Sequence, residues 1–271
     1  VWNDGWHFLS SPVAAQPISL SWTPTGVGND YDFYLWDEPS NLWLNFKTTP
    51  FATANPGTDF VVGRGYQVAY QTTDTKTFTG DLNVANKTRG GLKVTSPATT
   101  SWHLLGNPYP CALTWWTGWS SVNVGAVCQI WKETTNSYSP IIAGEIIPAM
   151  NGFMVQALVN NASITIPKAA RTHSATPWYK NSSSLDFIKL TAWSSDRNTG
   201  KESIVKMDPA STEAFDADFD GNYLADFAPA FYSLAGNDKL SVNTLPELGN
   251  DVSIPFVFAK NSASDFTIEL E

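Results

Sequence analysis

Three short stretches of this 271-residue chain carry side chains that could do chemistry. The first is TWWTGWSS, where Trp115, Trp116 and Trp119 are interleaved with Thr, Gly and Ser. Flat indole faces take up the apolar C–H surface of a sugar ring while nearby polar groups fix its hydroxyls. The plainer alternative is that these indoles plug the open end of a β-fold. The second stretch is FDADFDG, with Asp216, Asp218 and Asp220 at alternate positions before Gly221. It begins like a calcium loop, because hard cations want several oxygens in a tight turn. The twelfth position counted from Asp216 is Phe227, where an EF-hand needs Glu, so an EF-hand is excluded. A calcium-binding β-loop that also uses Asp226, or a solvated acidic turn, remains. The third is the pair Cys111 and Cys128, readable as a disulfide or as two buried thiols. Two Cys with no His close in sequence do not make a zinc site.

Other chemistries are excluded by what is missing. There is no G-x-S-x-G, H-E-x-x-H, phosphate-binding loop or dinucleotide fingerprint. A glycosidase pair among the 25 acidic residues would require a proximity that spacing alone does not set. No catalytic residue is therefore named. The formal charge of −9 argues against nucleic acid, whose phosphates need Lys and Arg. No run approaches the roughly twenty apolar residues of a spanning helix, so membrane insertion is not expected. The chain starts at Val1 and stops within DFTIELE, which reads as a strand. It is therefore expected to be a fragment of a longer protein, and its lack of a signal peptide is silent on export.

The elements that must position these residues are written twice. GWHFLSSP from Gly5 is answered by SWHLLGNP from Ser101, with both His7 to His103 and Pro12 to Pro108 at an offset of 96. Trp36 to Trp131, Asn41 to Asn136 and Trp43 to Tyr138 follow at 95. GYQVAY from Gly65 answers GFMVQA from Gly152 at 87, so one shortening between Tyr138 and Gly152 explains most of the drift. This is an internal duplication. Short runs of β-branched and aromatic residues, broken by Gly, Pro, Asn and Thr, predict strands throughout. DEPSN and KETTN sit between equivalent strands as hairpin turns. The expected fold is all-β: a pseudo-symmetric duplicated β-sandwich or barrel over residues 1–168, with repeats at about 1–85 and 97–168. A linker at 169–184 and a second, smaller β-sandwich at 185–271 follow.

The duplication reweighs the candidates. His7 and His103 are equivalent, which favours a structural pair over catalysis. Trp6, Trp102, Trp36 and Trp131 are repeat-matched and predicted to be core. Trp115, Trp116 and Trp119 have no Trp at the matching offset, which leaves them available for a ligand. Cys111 and Cys128 correspond to Ala15 and Phe33, so the pair is missing together from the first copy, as one bond would be. Such a bond would contribute roughly 3 kcal/mol in the chain-entropy treatment.

LLGNPYPCALTW, followed by IW, NSY, NGFMV and RTH, resembles a module recurrent in large secreted proteins of Bacteroidetes. STEAFDADFDGNYL, LSVNTLP and SIPFVF together resemble the β-domain that often precedes their type IX secretion signal. The resemblance covers most of the chain and rests on structural motifs, Gly-Asn-Pro turns and buried Trp. It implies export and an extracellular or outer-membrane surface location, where a disulfide would persist. It supplies no activity, because such modules accompany polysaccharidases and adhesins alike. The expectation is a non-catalytic module that binds polysaccharide or a cell-surface glycan, or mediates adhesion, beside other domains of the same parent chain. A structural spacer that presents neighbouring domains is the alternative, and a glycan-degrading enzyme is the least favoured. No cofactor other than calcium at Asp216, Asp218 and Asp220 is expected.

Overall fold

A computed structural model describes residues 5–19, 22–95, 101–173, 187–247, 252–263 and 265–271. Residues 174–184 of the expected linker lie outside the described residues. The elements of the fold are nearly all strands, with a short helix at Thr49–Ala54 and a 3-10 turn at Lys168–Ala170 among the described residues. Among the described residues no helix is long and apolar enough to cross a membrane.

Contacts divide the chain into two units, Val1–Val124 with Gly144–Asn181, and Gly125–Ala143 with Ser182–Glu271. This differs from the expected boundaries in two respects. Arg171–Thr172, inside the expected linker, is a strand of the first unit that pairs with Ala112 and Leu113. A hairpin of the second copy is counted with the C-terminal unit.

The first unit begins with β1 (His7–Leu9), β2 (Tyr31–Asp37), β3 (Leu42–Asn45), helix α1 (Thr49–Ala54) and β4 (Tyr66–Tyr70). These strands form an antiparallel sheet in the order β1-β4-β2-β3. The period of two decides its faces. In YDFYLWD, Phe33 and Leu35 point inward, and in YQVAY so do Tyr66, Val68 and Tyr70. They join Ile18, Trp22, Phe51 and Phe60 in one aromatic-rich core. Pro50 at the start of α1 suits the first helical turn, and Phe51 is the side chain that the helix buries.

Next come β5 (Lys87–Leu92), β6 (Trp102–Gly106), β7 (Ala112–Thr114) and β8 (Ser120–Val122). The hairpin strands β9 (Cys128–Lys132) and β10 (Ser137–Ile141) belong to the other unit. The first unit resumes with β11 (Ile146–Ile147), β12 (Gly152–Gln156), β13 (Ala162–Ile166) and β14 (Arg171–Thr172). β12 pairs with β6, β13 lies between β5 and β8, and β7 lies between β11 and β14.

The duplication is preserved residue for residue in strand register. His7 faces Val68 across β1–β4, and His103 faces Val155 across β6–β12. Trp36 faces Trp43 across β2–β3, and Trp131 faces Tyr138 across β9–β10. Asn41 and Asn136 both take the left-handed conformation in the two hairpin turns, with φ of 54° and 45°. Asn tolerates that region better than other residues with a Cβ. Within the first unit the copies also touch symmetrically. The isolated bridges Leu9↔Asn151 and Arg64↔Leu105 are images of one another under the offsets 96 and 87. Equivalent glycines allow this approach. A Cβ on Gly65 would run into the Leu105 carbonyl oxygen, and one on Gly152 would lie 3.0 Å from Phe8 Cβ.

The second unit adds β15 (Phe187–Ser194), β16 (Gly200–Met207), β17 (Gly221–Asn222), β18 (Ala230–Ala235), β19 (Asp238–Leu245), β20 (Phe256–Ala259) and β21 (Phe266–Leu270). They form one sheet in the order β20-β18-β19-β16-β15-β21, with β17 also on β19. Only the β16–β19 pairing is parallel among these. The β9–β10 hairpin packs on this sheet because its flanks are apolar. Val127 and Ile142 bury against Ile204 and Val242, with Phe187 alongside. A Cβ on Gly221 would lie 2.6 Å from Val127 Cγ1, so only glycine lets the two segments approach so closely.

Candidate functional site

The three indoles of the tryptophan cluster are buried to different depths. Trp115 is 0% exposed, which removes it as a sugar platform and corrects that expectation. Its backbone is tied down on both sides: its N–H donates to Glu145 O at 2.7 Å, and its carbonyl accepts from Gly144 N at 3.0 Å. Its ring meets Phe153 edge-on at 5.8 Å. Trp116 and Trp119 are half-buried and tilted by 41° and 59° to Trp115, so the three indoles form no common flat surface. The Trp119 indole N–H is already used, donating to Thr114 O at 3.0 Å.

The acidic loop turns inward on itself. Asp220 is buried, and its two carboxylate oxygens accept the backbone N–H of Asp216 at 2.7 Å and of Thr244 at 2.7 Å. Asp216 Oδ1 in turn accepts the Asp218 N–H at 3.1 Å, while Asp218 is exposed. Asp226 is engaged elsewhere, 2.6 Å from Lys201 Nζ. Among the described residues no group of three His, Cys, Asp or Glu side chains is placed to hold a metal. The calcium expectation for Asp216, Asp218 and Asp220 is therefore corrected to a turn whose carboxylates serve the backbone. Burial pushes the Asp220 carboxyl up to about 6.

No disulfide joins Cys111 and Cys128 in this structure, against the expectation from their joint absence in the first copy. Cys111 is half-buried, and Cys128 opens β9 in the interior. Burial pushes the Cys111 thiol up, away from thiolate chemistry. His103 Nε2 lies within hydrogen-bond distance of both the Lys93 backbone N–H, at 3.0 Å, and the Lys93 carbonyl oxygen, at 2.9 Å, and burial holds the ring below its ordinary pKa. That is the bonding of a structural, neutral imidazole.

A concave surface of the first unit lies elsewhere. An open groove of about 480 Å³ is lined by Trp6, Asp30, Tyr31, Asp32, Lys47 and Gln71, with Ala69 and Tyr70 at its base. The β2–β4 ladder builds it, pairing Tyr31 with Tyr70 and Asp32 with Ala69. Just beyond the ladder, the Gln71 backbone N–H donates to Asp30 O at 2.9 Å, and the Asp30 N–H donates to Gln71 Oε1 at 3.1 Å. Lys47 is committed: its ammonium donates to Tyr31 O at 2.6 Å and sits 4.4 Å from the centre of the Tyr31 ring. Tyr34 donates its hydroxyl to Asp32 Oδ1 at 3.3 Å and meets Trp6 edge-on at 5.8 Å. Burial raises the pKa of Tyr31, so its hydroxyl stays protonated at neutral pH. Aromatic side walls, two carboxylates and an amide are the components that grip a polyhydroxylated ring.

Sequence reasoning missed this groove because Trp6 matches Trp102 and was assigned to the core. Trp102 is indeed buried, but Trp6 and Trp36 are half-buried, a correction for those two. A signal was present in the differences between copies. Asp30, Tyr31 and Asp32 correspond to Gly125, Ala126 and Val127, while Lys47 and Gln71 correspond to Ile142 and Leu158. The first copy is polar at these positions and the second is apolar, with Val127 and Ile142 buried in the core of the C-terminal unit. Neither protein-family models, nor curated proteins, nor solved structures show a match to this chain.

Proposed function

We propose that this chain is a non-catalytic module of a secreted or cell-surface protein, and that it binds polysaccharide or a cell-surface glycan through the groove of its first copy. One observation carries the proposal. At equivalent positions of a duplicated fold, one copy buries Val127 and Ile142, whereas the other presents Asp32 and Lys47 along an open aromatic groove. A polar surface is not needed for packing, and its aromatic flanks suit sugar stacking. The resemblance to exported Bacteroidetes modules favours an extracellular or outer-membrane surface setting. Affinity electrophoresis across a broad glycan panel tests the proposal, with retardation by at least one glycan as the expected result.

A structural spacer is the second reading. The β9–β10 hairpin favours it, since that part of the second copy is given over to the C-terminal core. If no glycan retards the protein, the spacer reading replaces the binding one.

A further inference from the structure

Resting on the glycan reading of the groove, we infer that the groove takes an uncharged glycan and discriminates against uronate and sulfated ones. Two carboxylates, Asp30 and Asp32, stand against one ammonium, Lys47, among the described residues that line the groove, so its lining carries a net negative charge. Asp30 has no side-chain partner among the described residues, and Asp32 has only the Tyr34 hydroxyl on Oδ1. The one cation among the described lining residues, Lys47, is turned toward Tyr31, donating to its carbonyl oxygen and sitting over its ring. A ligand must therefore bring donors, as sugar hydroxyls do, to two carboxylates that accept only. An anionic sugar would bring its charge against Asp30 and Asp32, and like charges set side by side are a strong selector against a ligand. Tyr31 and Trp6 supply apolar contact without regard to charge.

The long-range field of a chain with a formal charge of −9 could imitate such selection, so the groove must be separated from the whole. At physiological salt, exposed charges more than about 8 Å apart are largely screened. Affinity is measured there for laminarin and galactomannan as uncharged probes, alginate as the uronate and carrageenan as the sulfate ester. Three proteins are compared: the native chain, the double variant Asp30→Asn with Asp32→Asn, and a control pair, Glu213→Gln with Asp218→Asn. The control positions are exposed and lie outside the groove, and both pairs change the net charge equally. Asn keeps an oxygen for the Tyr34 hydroxyl, and circular dichroism verifies the fold. The expected result is that an uncharged probe binds about tenfold or more tighter than alginate or carrageenan. The groove pair should then raise anionic affinity while the control pair does not. Equal native affinity for anionic and uncharged probes overturns the inference and leaves the glycan reading standing. So does an anionic affinity that the groove pair fails to raise, or that the control pair raises equally. Binding of no probe at all overturns both.

Discussion

Lys201 Nζ lies 2.6 Å from Asp226 Oδ2, with both side chains 1% exposed, and the pair holds the β9–β10 hairpin in the C-terminal unit. The ammonium also donates to Tyr138 O at 3.2 Å and Leu224 O at 2.9 Å. Asp226 Oδ2 accepts the Tyr138 N–H at 2.7 Å, and its Oδ1 accepts the Ala228 N–H at 3.0 Å. Burial lowers the Lys201 pKa, and the adjacent carboxylate opposes that shift. A buried ion pair is retained at little net gain, but removing one partner strands the other charge.

Replacing Lys201 by Met should therefore destabilise the C-terminal unit by about 3–5 kcal/mol. Urea unfolding followed by circular dichroism measures it. A loss under about 1 kcal/mol would show that the pair does not pin the hairpin.

Asp220 gives a pH dependence of definite sign. Its folded pKa, about 6, stands above the ordinary value of 3.8 because the carboxyl is buried. Its contribution is therefore fully present below the unfolded pKa and is lost as pH rises through 6. Asp216 and Asp238 add to this by charge repulsion, while the Thr244 and Asp216 N–H groups oppose it. The native chain should lose stability relative to Asp220→Asn between pH 4 and 7 in urea titrations. A relative gain over that range would mean that the two N–H bonds outweigh burial. Millimolar calcium should leave the melting temperature unchanged, since Asp220 spends both oxygens on backbone N–H groups.

Thiol chemistry provides a third check. Without reductant, two thiols per chain should titrate after unfolding, and the native protein should react slowly because Cys128 is buried and the Cys111 pKa is raised. An intact mass two hydrogens short would establish the disulfide in place of the thiols.

The strand pairing of this fold was legible because register follows from repeated pattern. Once His7 was matched to His103 and Trp36 to Trp131, the pairing partners were matched as well. What covers a strand face was less legible. Trp6 and Trp102 share a position, but one lines a groove and the other is buried, because exposure depends on neighbours that the local pattern does not name. The same holds for FDADFDG. Its alternation suggested convergent carboxylates, yet Asp220 turns inward to the backbone of β19. The transfer of Gly125–Ala143 to the C-terminal unit depends on contacts with strands more than sixty residues away in sequence. The clue that survives is the asymmetry between copies, in which Asp32 against Val127 separates a solvent-facing site from a packed one.

The central claim is that the first-copy groove, and not the tryptophan cluster, is the glycan site. Isothermal titration with a retained uncharged glycan tests it directly, comparing Trp6→Ala with Trp116→Ala. By analogy with base–aromatic stacking, one lost stacking contact costs about 1–3 kcal/mol. Trp6→Ala should therefore weaken binding about tenfold or more, whereas Trp116→Ala should stay within about twofold of the native chain. Near-native binding by Trp6→Ala, with loss confined to Trp116→Ala, would contradict the account and return the site to the cluster.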